Sequence, residues 1–291
     1  MLGDAAGIGP RLLGGRVCVE CFYSSRGRLG VPRASLDGLL AGAGGRTELF
    51  VESYRLAGDP MEPRRRALNR RAMRLLPGIW AAISGAGLED ALRLAALANS
   101  VDVLPWASGG LSLEGPAVDR GARRAAGLLE AAGSVAYLLD NAGEAVVDVA
   151  LALRLALGGA RVRLIARSEP YEVDVTEAEA RRLLAEAAAA LGVDPGGVEV
   201  VGTGSRYPAP ARGRVSRSVE EAIAGSDAVV LKGIANLEAA MEYCSVPRER
   251  AVVLLRAKCP PMASLYRAPL GAAVVAAGYE CILARGGGRG A

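Results

Sequence analysis

The sequence predicts an α/β protein in which an N-terminal α-helical subdomain precedes a Rossmann-like, doubly wound, mostly parallel sheet. Two observations lead to this prediction. Apolar residues recur at helical spacing over about residues 34–132, whereas short apolar runs of four or five residues alternate with helical segments from residue 134 onward. Such alternation is typical of a parallel sheet with helices on both faces. We therefore expect two units, residues 17–132 and residues 133–285.

The first unit is predicted to be helical because its apolar residues repeat at positions i, i+3, i+4 and i+7. Asp59-Pro60 and Pro77-Gly78 punctuate this pattern, and residues 109–116 form a predicted loop. The expected helices are Ser35–Leu56, Arg64–Ser84, Leu88–Val101 and Val118–Ala132.

Short apolar runs in the second unit are predicted to be buried strands joined by helices. Thr176 and Glu179 have the spacing of a capping box, which predicts a helix start at that point. The expected strands are Val135–Leu139, Val162–Ala166, Val198–Val201, Ala228–Leu231, Val252–Leu255 and Ala272–Ala276. The expected helices are Glu144–Leu157, Glu177–Leu191, Val219–Ala224 and Leu237–Tyr243.

Composition excludes several kinds of chemistry. The chain of 291 residues has no His, and only two of its 35 basic residues are lysines, Lys232 and Lys258. Without imidazole the chain cannot form a Ser-His-Asp triad, a Cys-His dyad, a His-ligated zinc site or a facial triad. Any acid–base role therefore falls to a carboxylate, a lysine or water.

The net charge and the hydropathy of the sequence indicate which classes of partner to expect. The net charge of +4 is small and spread along the chain, so we expect no nucleic-acid partner. No apolar run has the length of a membrane span, and the first sixteen residues do not resemble a signal peptide. We therefore expect a cytoplasmic protein with no membrane partner, and its oligomeric state stays open.

The cysteines do not suggest a disulfide framework, because five is an odd number in a chain of this length. Cys18-x-x-Cys21 is half of a zinc knuckle, but no second Cys or His pair completes it. A redox pair and a packing role are equally compatible with that spacing.

Polar residues gather where the predicted strands end. In open α/β sheets, ligands bind beyond the carboxyl ends of the strands. Asp140, Asn141 and Glu144 follow one predicted strand, Asp174 follows another, and Lys258 a third. Lys232 and Asn236 follow a further strand, so that both lysines of the chain lie at this edge. Because Lys and Arg differ in shape and hydration, lysines kept in an arginine-rich chain indicate sites where Arg does not fit.

Asp140, Asn141 and Asp174 offer two carboxylates and an amide oxygen from adjacent strand ends. Such hard oxygen ligands suit Mg²⁺ or Mn²⁺. The alternative is that Asp140 and Asn141 cap a helix and Asp174 occupies a turn.

Three further polar residues have both a functional and a structural interpretation. Asp148 follows Glu144 by one helical turn in an apolar helix, so it either orients a functional group or pairs with an arginine. Asn99 and Asp102 end the helix Leu88–Val101, where they either cap it or reach the cleft from the helical subdomain.

Together these residues resemble the metal-dependent damage-control phosphatases, a family first described as domain of unknown function 89 (the ARMT1-like metal-binding domain). The resemblance covers roughly residues 17–278. Its most specific feature is the pair of runs Asp-Asn-Ala-Gly-Glu and Lys-Gly-x-x-Asn-x-Glu, in that order and spacing. Its landmarks are Cys18-x-x-Cys21, Ala98-Asn99-Ser-Val-Asp102, Leu139-Asp140-Asn141-Ala-Gly143-Glu144, Val173-Asp174-Val-Thr176, Lys232-Gly233-x-x-Asn236-x-Glu238 and Ala257-Lys258-Cys259-Pro260.

The resemblance implies a phosphatase that uses a divalent metal, Mg²⁺ or Mn²⁺ with Co²⁺ or Ni²⁺ as alternatives, to hydrolyse a small phosphorylated metabolite such as a sugar phosphate. It implies that Asp140, Asn141 and Asp174 are metal ligands and that Lys258 contacts the phosphate. Asp140, Asp174 and Lys258 are then the expected catalytic residues, with either water or an aspartate as nucleophile. The expected substrate-binding residues are Glu144, Lys232, Asn236, Asn99 and Asp102.

Two other functions stay open at this point. One is a non-catalytic metabolite-binding or redox-sensitive module that uses Cys18 and Cys21. The other is a nucleotide- or S-adenosylmethionine-dependent transferase that uses the same sheet edge, although Gly202-Thr-Gly204 is a weak dinucleotide motif.

Overall fold

The structure is a computed structural model that describes residues 15–101 and 111–281. In these ranges it contains seven strands and twelve α-helices, with a short 3₁₀ turn at Arg248–Arg250. The strands are β1 (Ala117–Arg120), β2 (Ser134–Leu138), β3 (Arg161–Ala166), β4 (Val198–Gly202), β5 (Ala228–Lys232), β6 (Ala251–Arg256) and β7 (Ala273–Ala277). The helices are α1 (Arg16–Arg28), α2 (Arg33–Gly42), α3 (Arg46–Arg55), α4 (Glu62–Met73), α5 (Leu76–Gly85), α6 (Leu88–Ala98), α7 (Ala122–Glu130), α8 (Glu144–Leu157), α9 (Glu177–Leu191), α10 (Arg217–Gly225), α11 (Gly233–Tyr243) and α12 (Pro260–Leu265).

The strands form one sheet in the order β1-β7-β6-β5-β2-β3-β4. The five strands from β6 to β4 are mutually parallel, whereas β7 runs antiparallel to β6 and β1 runs parallel to β7. The chain leaves β2 outward through β3 and β4 and then returns to β5 on the other side of β2. The order therefore reverses between β2 and β5, which is where open α/β sheets form their ligand crevice. The predicted fold class is confirmed.

Both faces of the sheet are buried, as expected for parallel strands. Along β2, Val135 and Tyr137 face one apolar cluster and Ala136 and Leu138 face the other. Helices α5 to α9 contribute to the first cluster, and α10 to α12 contribute to the second. Among the helices of the described ranges, none has both the length and the hydropathy that crossing a membrane requires.

Helices α8 and α9 begin and end at the predicted residues. The capping box at the start of α9 is present, because Glu179 N donates to Thr176 Oγ1 and Thr176 N donates to Glu179 Oε2 at 2.8 Å. Local sequence signals were sufficient here since both helices pack along most of their length against the sheet.

The single helix predicted over Ser35–Leu56 is wrong, because the chain forms α2 and α3 with a break at residues 43–45. The carboxylate of Glu242 on α11 accepts hydrogen bonds from Thr47 N at 2.9 Å and Thr47 Oγ1 at 2.7 Å, which fixes the start of α3. A Cβ atom on Gly45 would lie 1.7 Å from Glu242 Oε1, so a side chain at this position would displace the Glu242 carboxylate. The helix predicted over Arg64–Ser84 likewise divides into α4 and α5, with Pro77 in the first turn of α5.

The helix predicted over Val118–Ala132 is wrong in its first turn. Residues 117–120 form β1, and α7 starts only at Ala122, where Asp119 Oδ1 accepts from Gly121 N and Ala122 N at 2.7 Å each. Helix α1 was not predicted. The last predicted strand is β7, which lies inside the sheet beside β1 and antiparallel to β6. A division of the chain at residue 133 stays a prediction.

Helices α1 to α3 share a small apolar cluster of their own, formed by Phe22, Val31, Leu36, Leu49 and Phe50. Polar contacts join these helices to the rest of the chain. Arg26 forms an ion pair with Glu172 at 2.5 Å, and Tyr207 Oη donates to Glu52 at 3.0 Å. We call α1 to α3 the N-terminal helical module.

Candidate functional site

Backbone pairing brings the residues after β2 next to the loop after β3. Val175 N donates to Asp140 O and Ala142 N donates to Val173 O, both at 2.8 Å, and Asn141 forms a β-bridge with Asp174. The side chains of Asp140, Asn141 and Asp174 line one cleft, although each is only 3–5% exposed. The structure thus brings together the three side chains predicted as metal ligands.

Two glycines in unusual conformations allow this arrangement. Gly143 has φ 85° and donates its N–H to Asn69 Oδ1 at 2.7 Å, so α4 fixes the turn that leads into α8. Gly233 has φ 72°, and a Cβ atom at this position would lie 1.9 Å from Asp140 Oδ2. Only glycine lets the start of α11 approach the Asp140 carboxylate this closely.

The carboxylate of Glu144 organises the hydrogen bonds beneath the cleft. It is fully buried and accepts from Asn141 N at 3.1 Å, Asn141 Nδ2 at 2.7 Å and Asn99 Nδ2 at 2.8 Å. The same two amide nitrogens donate to Asp140 Oδ2, from Asn141 at 2.6 Å and from Asn99 at 2.9 Å. Asn99, at the end of α6, thus contacts one candidate metal ligand, Asp140. Glu144 lies beneath the cleft and does not line it.

Lys232 belongs to a fully buried ion network below Glu144. Its Nζ lies 3.0 Å from Glu144 Oε2 and 3.1 Å from Asp148 Oδ1, and it donates to Ala95 O at 2.7 Å. Tyr137 Oη donates to Asp148 Oδ1 at 2.6 Å. Lys232 is fully buried and does not line the cleft. In this conformation it contacts only protein groups, whereas the sequence predicted a contact with the substrate.

Burial determines the protonation of this network. Desolvation raises the pKa of Asp148 to about 6, and the Lys232 charge opposes that rise. Burial alone would lower the pKa of Lys232, but the carboxylates of Asp148 and Glu144 raise it overall. Burial beside Asp148 also raises the pKa of Tyr137. Lys232 is therefore charged at neutral pH.

Asn236 and Lys258 join neighbouring strand ends. Asn236 Nδ2 donates to Leu139 O and to Lys232 O, both at 2.9 Å, which ties the ends of β2 and β5 together. Lys258 follows β6, is 4% exposed, and donates from Nζ to Val101 O at 2.9 Å. Asp102 lies outside the described residues.

Sequence reasoning missed one side chain beside the cleft, Arg167, and two that line it. Arg167 Nε donates to Asp174 Oδ2 at 2.5 Å, and its guanidinium stacks over the Tyr171 ring at 4.2 Å. Arg167 directly follows β3, so its place at a strand end was a usable signal. Arg46 and Glu172 line the cleft itself, but Arg46 comes from α3 and no pattern in the sequence connects it to this edge.

The cleft has a volume of about 50 Å³ and lies between the N-terminal helical module and the sheet edge. One water occupies roughly 10–15 Å³ on this scale, so there is space for an ion with a few waters. The lining residues are Ser25, Arg46, Phe50, Asp140, Asn141, Tyr171, Glu172, Asp174, Ile234 and Ala235.

The donor chemistry fits a small hard cation. Asp140 and Asp174 carry carboxylate oxygens, and the amide nitrogen of Asn141 is committed to Asp140 and Glu144, so its oxygen is the atom that can serve a metal. Within the described residues no group of three His, Cys, Asp or Glu side chains has the arrangement of a metal site. Asp140, Asn141 and Asp174 together offer two carboxylates and one amide oxygen, which are ligands of the kind that Mg²⁺ and Mn²⁺ take, with water completing the coordination.

The cysteines form no disulfide within the described residues. Cys18 and Cys21 lie in the first two turns of α1 and are 9% exposed. Burial raises the pKa of Cys259, just before α12, to about 12, so this thiol is protonated and poorly nucleophilic.

Comparison with known proteins finds similarity to one family model and to proteins from Pyrococcus horikoshii. The model of the family described as "Damage-control phosphatase ARMT1-like domain" matches residues 57–274. Damage-control phosphatase PH1575 from Pyrococcus horikoshii is 30% identical over 142 residues, which is 48% of this chain and 45% of that protein. The aligned region thus spans less than half of the relative's length. The crystal structure of a DUF89 family protein from Pyrococcus horikoshii superposes with a TM-score of 0.71 at 22% identity, covering 89% of this chain and 98% of that one.

Proposed function

Because the chain belongs to the damage-control phosphatase ARMT1-like family, we propose that it is a divalent-metal-dependent phosphatase of small phosphomonoesters. The observation that carries the proposal is the convergence of Asp140, Asn141 and Asp174 in one cleft where the strand order reverses. A metal-dependent reaction needs hard oxygen ligands at a position that a substrate can reach, and this crevice supplies both.

Asp140, Asn141 and Asp174 would hold the cation through their side-chain oxygens. When bound, the cation supplies Lewis-acid stabilisation of the phosphoryl charge. Lys258 would add an ammonium at the same sheet edge, as the family resemblance implies. Asp140 or Asp174 would accept the proton of the attacking water, because the chain contains no His.

Glu144, Asn99 and Lys232 would serve as positioning residues. The amides of Asn99 and Asn141 hold Asp140, Glu144 holds both amides, and Lys232 neutralises Glu144 from below. A network of this kind keeps ligand oxygens oriented before the cation arrives, which is how outer hydrogen bonds tune metal affinity. We therefore expect Lys232 to act through Glu144, whereas the sequence predicted a direct substrate contact.

The proposed substrate is a small phosphorylated metabolite such as a sugar phosphate. A cleft of about 50 Å³ has room for a phosphoryl group but not for a whole metabolite, so the organic part of the substrate would extend toward the N-terminal helical module. The cytoplasmic location and the lack of nucleic-acid and membrane partners stay predictions.

The test is an assay of metal-stripped protein against a panel of sugar phosphates and para-nitrophenyl phosphate, with Mg²⁺, Mn²⁺, Co²⁺ or Ni²⁺ added back. We expect hydrolysis only with metal and a loss of at least about 100-fold in D140A, since metal stabilisation is worth several kcal/mol. The matched control is D90A, which removes an aspartate from the exposed side of α6.

Hydrolysis that needs no metal, or full activity in D140A, would exclude this mechanism. Cofactor binding without a metal requirement would instead favour the transferase alternative. Tight binding of a metabolite without turnover would favour the binding-module alternative.

A further inference from the structure

The N-terminal helical module places one guanidinium in the cleft. Arg46 is the first residue of α3, and among the described residues that line the cleft it is the one with a positive charge. It shares that cleft with Asp140, Asn141 and Asp174. An anionic ligand that reaches these three residues therefore meets Arg46 as well.

The hydrogen-bonding capacity of Arg46 is not exhausted by the protein. Its Nη2 forms an ion pair with Glu238 Oε2 at 2.6 Å. Its Nε is buried and has no acceptor among the described residues. Native structures keep few buried N–H groups without an acceptor, and those they keep need an explanation such as an unoccupied ligand contact.

The guanidinium of Arg46 is also held in a defined plane. It stacks over the Phe50 ring with 4.3 Å between Cζ and the ring centroid. The start of α3 is itself fixed, because Glu242 accepts two hydrogen bonds from Thr47. A planar, immobilised guanidinium is the arrangement that recognises phosphate oxygens with little loss of conformational entropy.

We propose that Arg46 binds a phosphoryl oxygen of the substrate through Nε while Nη2 keeps its ion pair with Glu238. This proposal rests on the proposed function, since it takes a phosphomonoester as the ligand of the cleft. Arg46 lies before residue 57, outside the part of the chain that the family model matches. The substrate contact would thus come from the N-terminal helical module and not from the residues that match the family model.

The experiment titrates inorganic phosphate into the Mg²⁺-loaded full-length protein by calorimetry. We expect R46Q to bind phosphate at least tenfold more weakly than the wild type, which is about 1.4 kcal/mol. R46K should fall between the two, because it keeps the charge and loses the fixed planar donor. In steady-state assays R46Q should raise KM by at least tenfold.

Two control variants separate binding from folding. R55Q removes an exposed arginine from the same helix, whose contact is an ion pair with Glu52, and should bind phosphate like the wild type. D227A removes the carboxylate that accepts from Ser134 N and Oγ at the start of β2, at the opposite end of that strand from the cleft, and should lower Tm with less than a twofold change in phosphate affinity. A merely structural Arg46 variant would behave like D227A.

Wild-type affinity for phosphate in R46Q, or in R46K if R46Q does not fold, would overturn the assignment of Arg46. A wild type that binds no phosphate would overturn it too. If phosphate binding depends on Arg46 but no phosphomonoester is hydrolysed with any metal, the proposed function fails and the anion site stands.

Discussion

Replacing Lys232 by Met removes the ammonium group from a buried network that contains two carboxylates. Lys232 Nζ lies 3.0 Å from Glu144 and 3.1 Å from Asp148, and all three side chains are fully buried. Met preserves most of the volume of the lysine stem, so the change in charge dominates. Ala95 O loses its donor as well.

The expected cost follows from the desolvated charges that stay behind. Removing one partner of a buried ion pair typically costs about 3–5 kcal/mol, because the remaining charge has neither water nor a counter-ion. A domain is stable by only about 5–15 kcal/mol, so K232M should be severely destabilised at neutral pH. The exposed pair of Arg163 and Glu199, 3.6 Å apart, provides the comparison, and R163Q should cost less than about 1 kcal/mol.

The loss in free energy of unfolding of K232M relative to the wild type, here called its stability deficit, should depend on pH in a defined direction. Burial raises the pKa of Asp148 to about 6 in the wild type, and Lys232 is the group that opposes the rise most, so the variant's Asp148 pKa is higher still. A carboxyl with a raised folded-state pKa contributes stability that is fully present below its unfolded pKa of about 3.9 and is lost as pH rises through the folded pKa. Up to about pH 6 both proteins lose this contribution equally as the pH rises. Above about pH 6 the wild type has lost it, and only the variant continues to lose stability. Its deficit should therefore shrink as pH falls toward about 6 and level off below that.

Urea unfolding of wild type, K232M and R163Q, followed by circular dichroism at several pH values between about 5 and 8.5, measures these differences. A deficit below about 1 kcal/mol at neutral pH, or one that grows as the pH falls toward 6, would refute the reasoning about the buried network.

Three further substitutions test other parts of the site. G233A should lower metal-dependent activity at least about tenfold and reduce Tm, because its Cβ would lie 1.9 Å from Asp140 Oδ2 at φ 72°; wild-type activity would contradict the close approach. Y137F should cost about 1.5–3 kcal/mol in urea unfolding, since it removes the 2.6 Å hydrogen bond to Asp148. T176A should cost about 1 kcal/mol through the lost cap of α9, and an unchanged urea midpoint would argue against the capping box.

Much of the sheet and its ligand edge is predictable from the sequence because both depend on local signals. Short apolar runs mark strands that are buried on both faces, and the polar residues after them must lie at the carboxyl edge. This reasoning is enough to predict that Asp140, Asn141 and Asp174 lie close together. It is also enough for α8 and α9, whose caps and apolar faces agree with their packing.

The elements that were missed depend on contacts between distant residues. The break between α2 and α3 is made by Glu242, 195 residues beyond Thr47 in the chain. Strand β1 has four mostly exposed residues and gains its conformation from pairing with β7, so its sequence could be taken for the start of a helix. Arg46 reaches the cleft for the same reason, because only the docking of α3 on α11 places it there.

The two lysines show how a position can follow from composition while the role of the residue does not. Their survival in a chain with 35 basic residues indicated sites that arginine cannot occupy, and both do lie at strand ends of the ligand edge. At Lys232 the reason is internal. A compact ammonium meets three acceptors, Ala95 O, Glu144 and Asp148, inside a fully buried pocket, where a planar guanidinium with five donors would leave N–H groups unpaired. The requirement for lysine therefore comes from the geometry of a buried charge, and composition alone cannot distinguish that requirement from contact with a substrate phosphate.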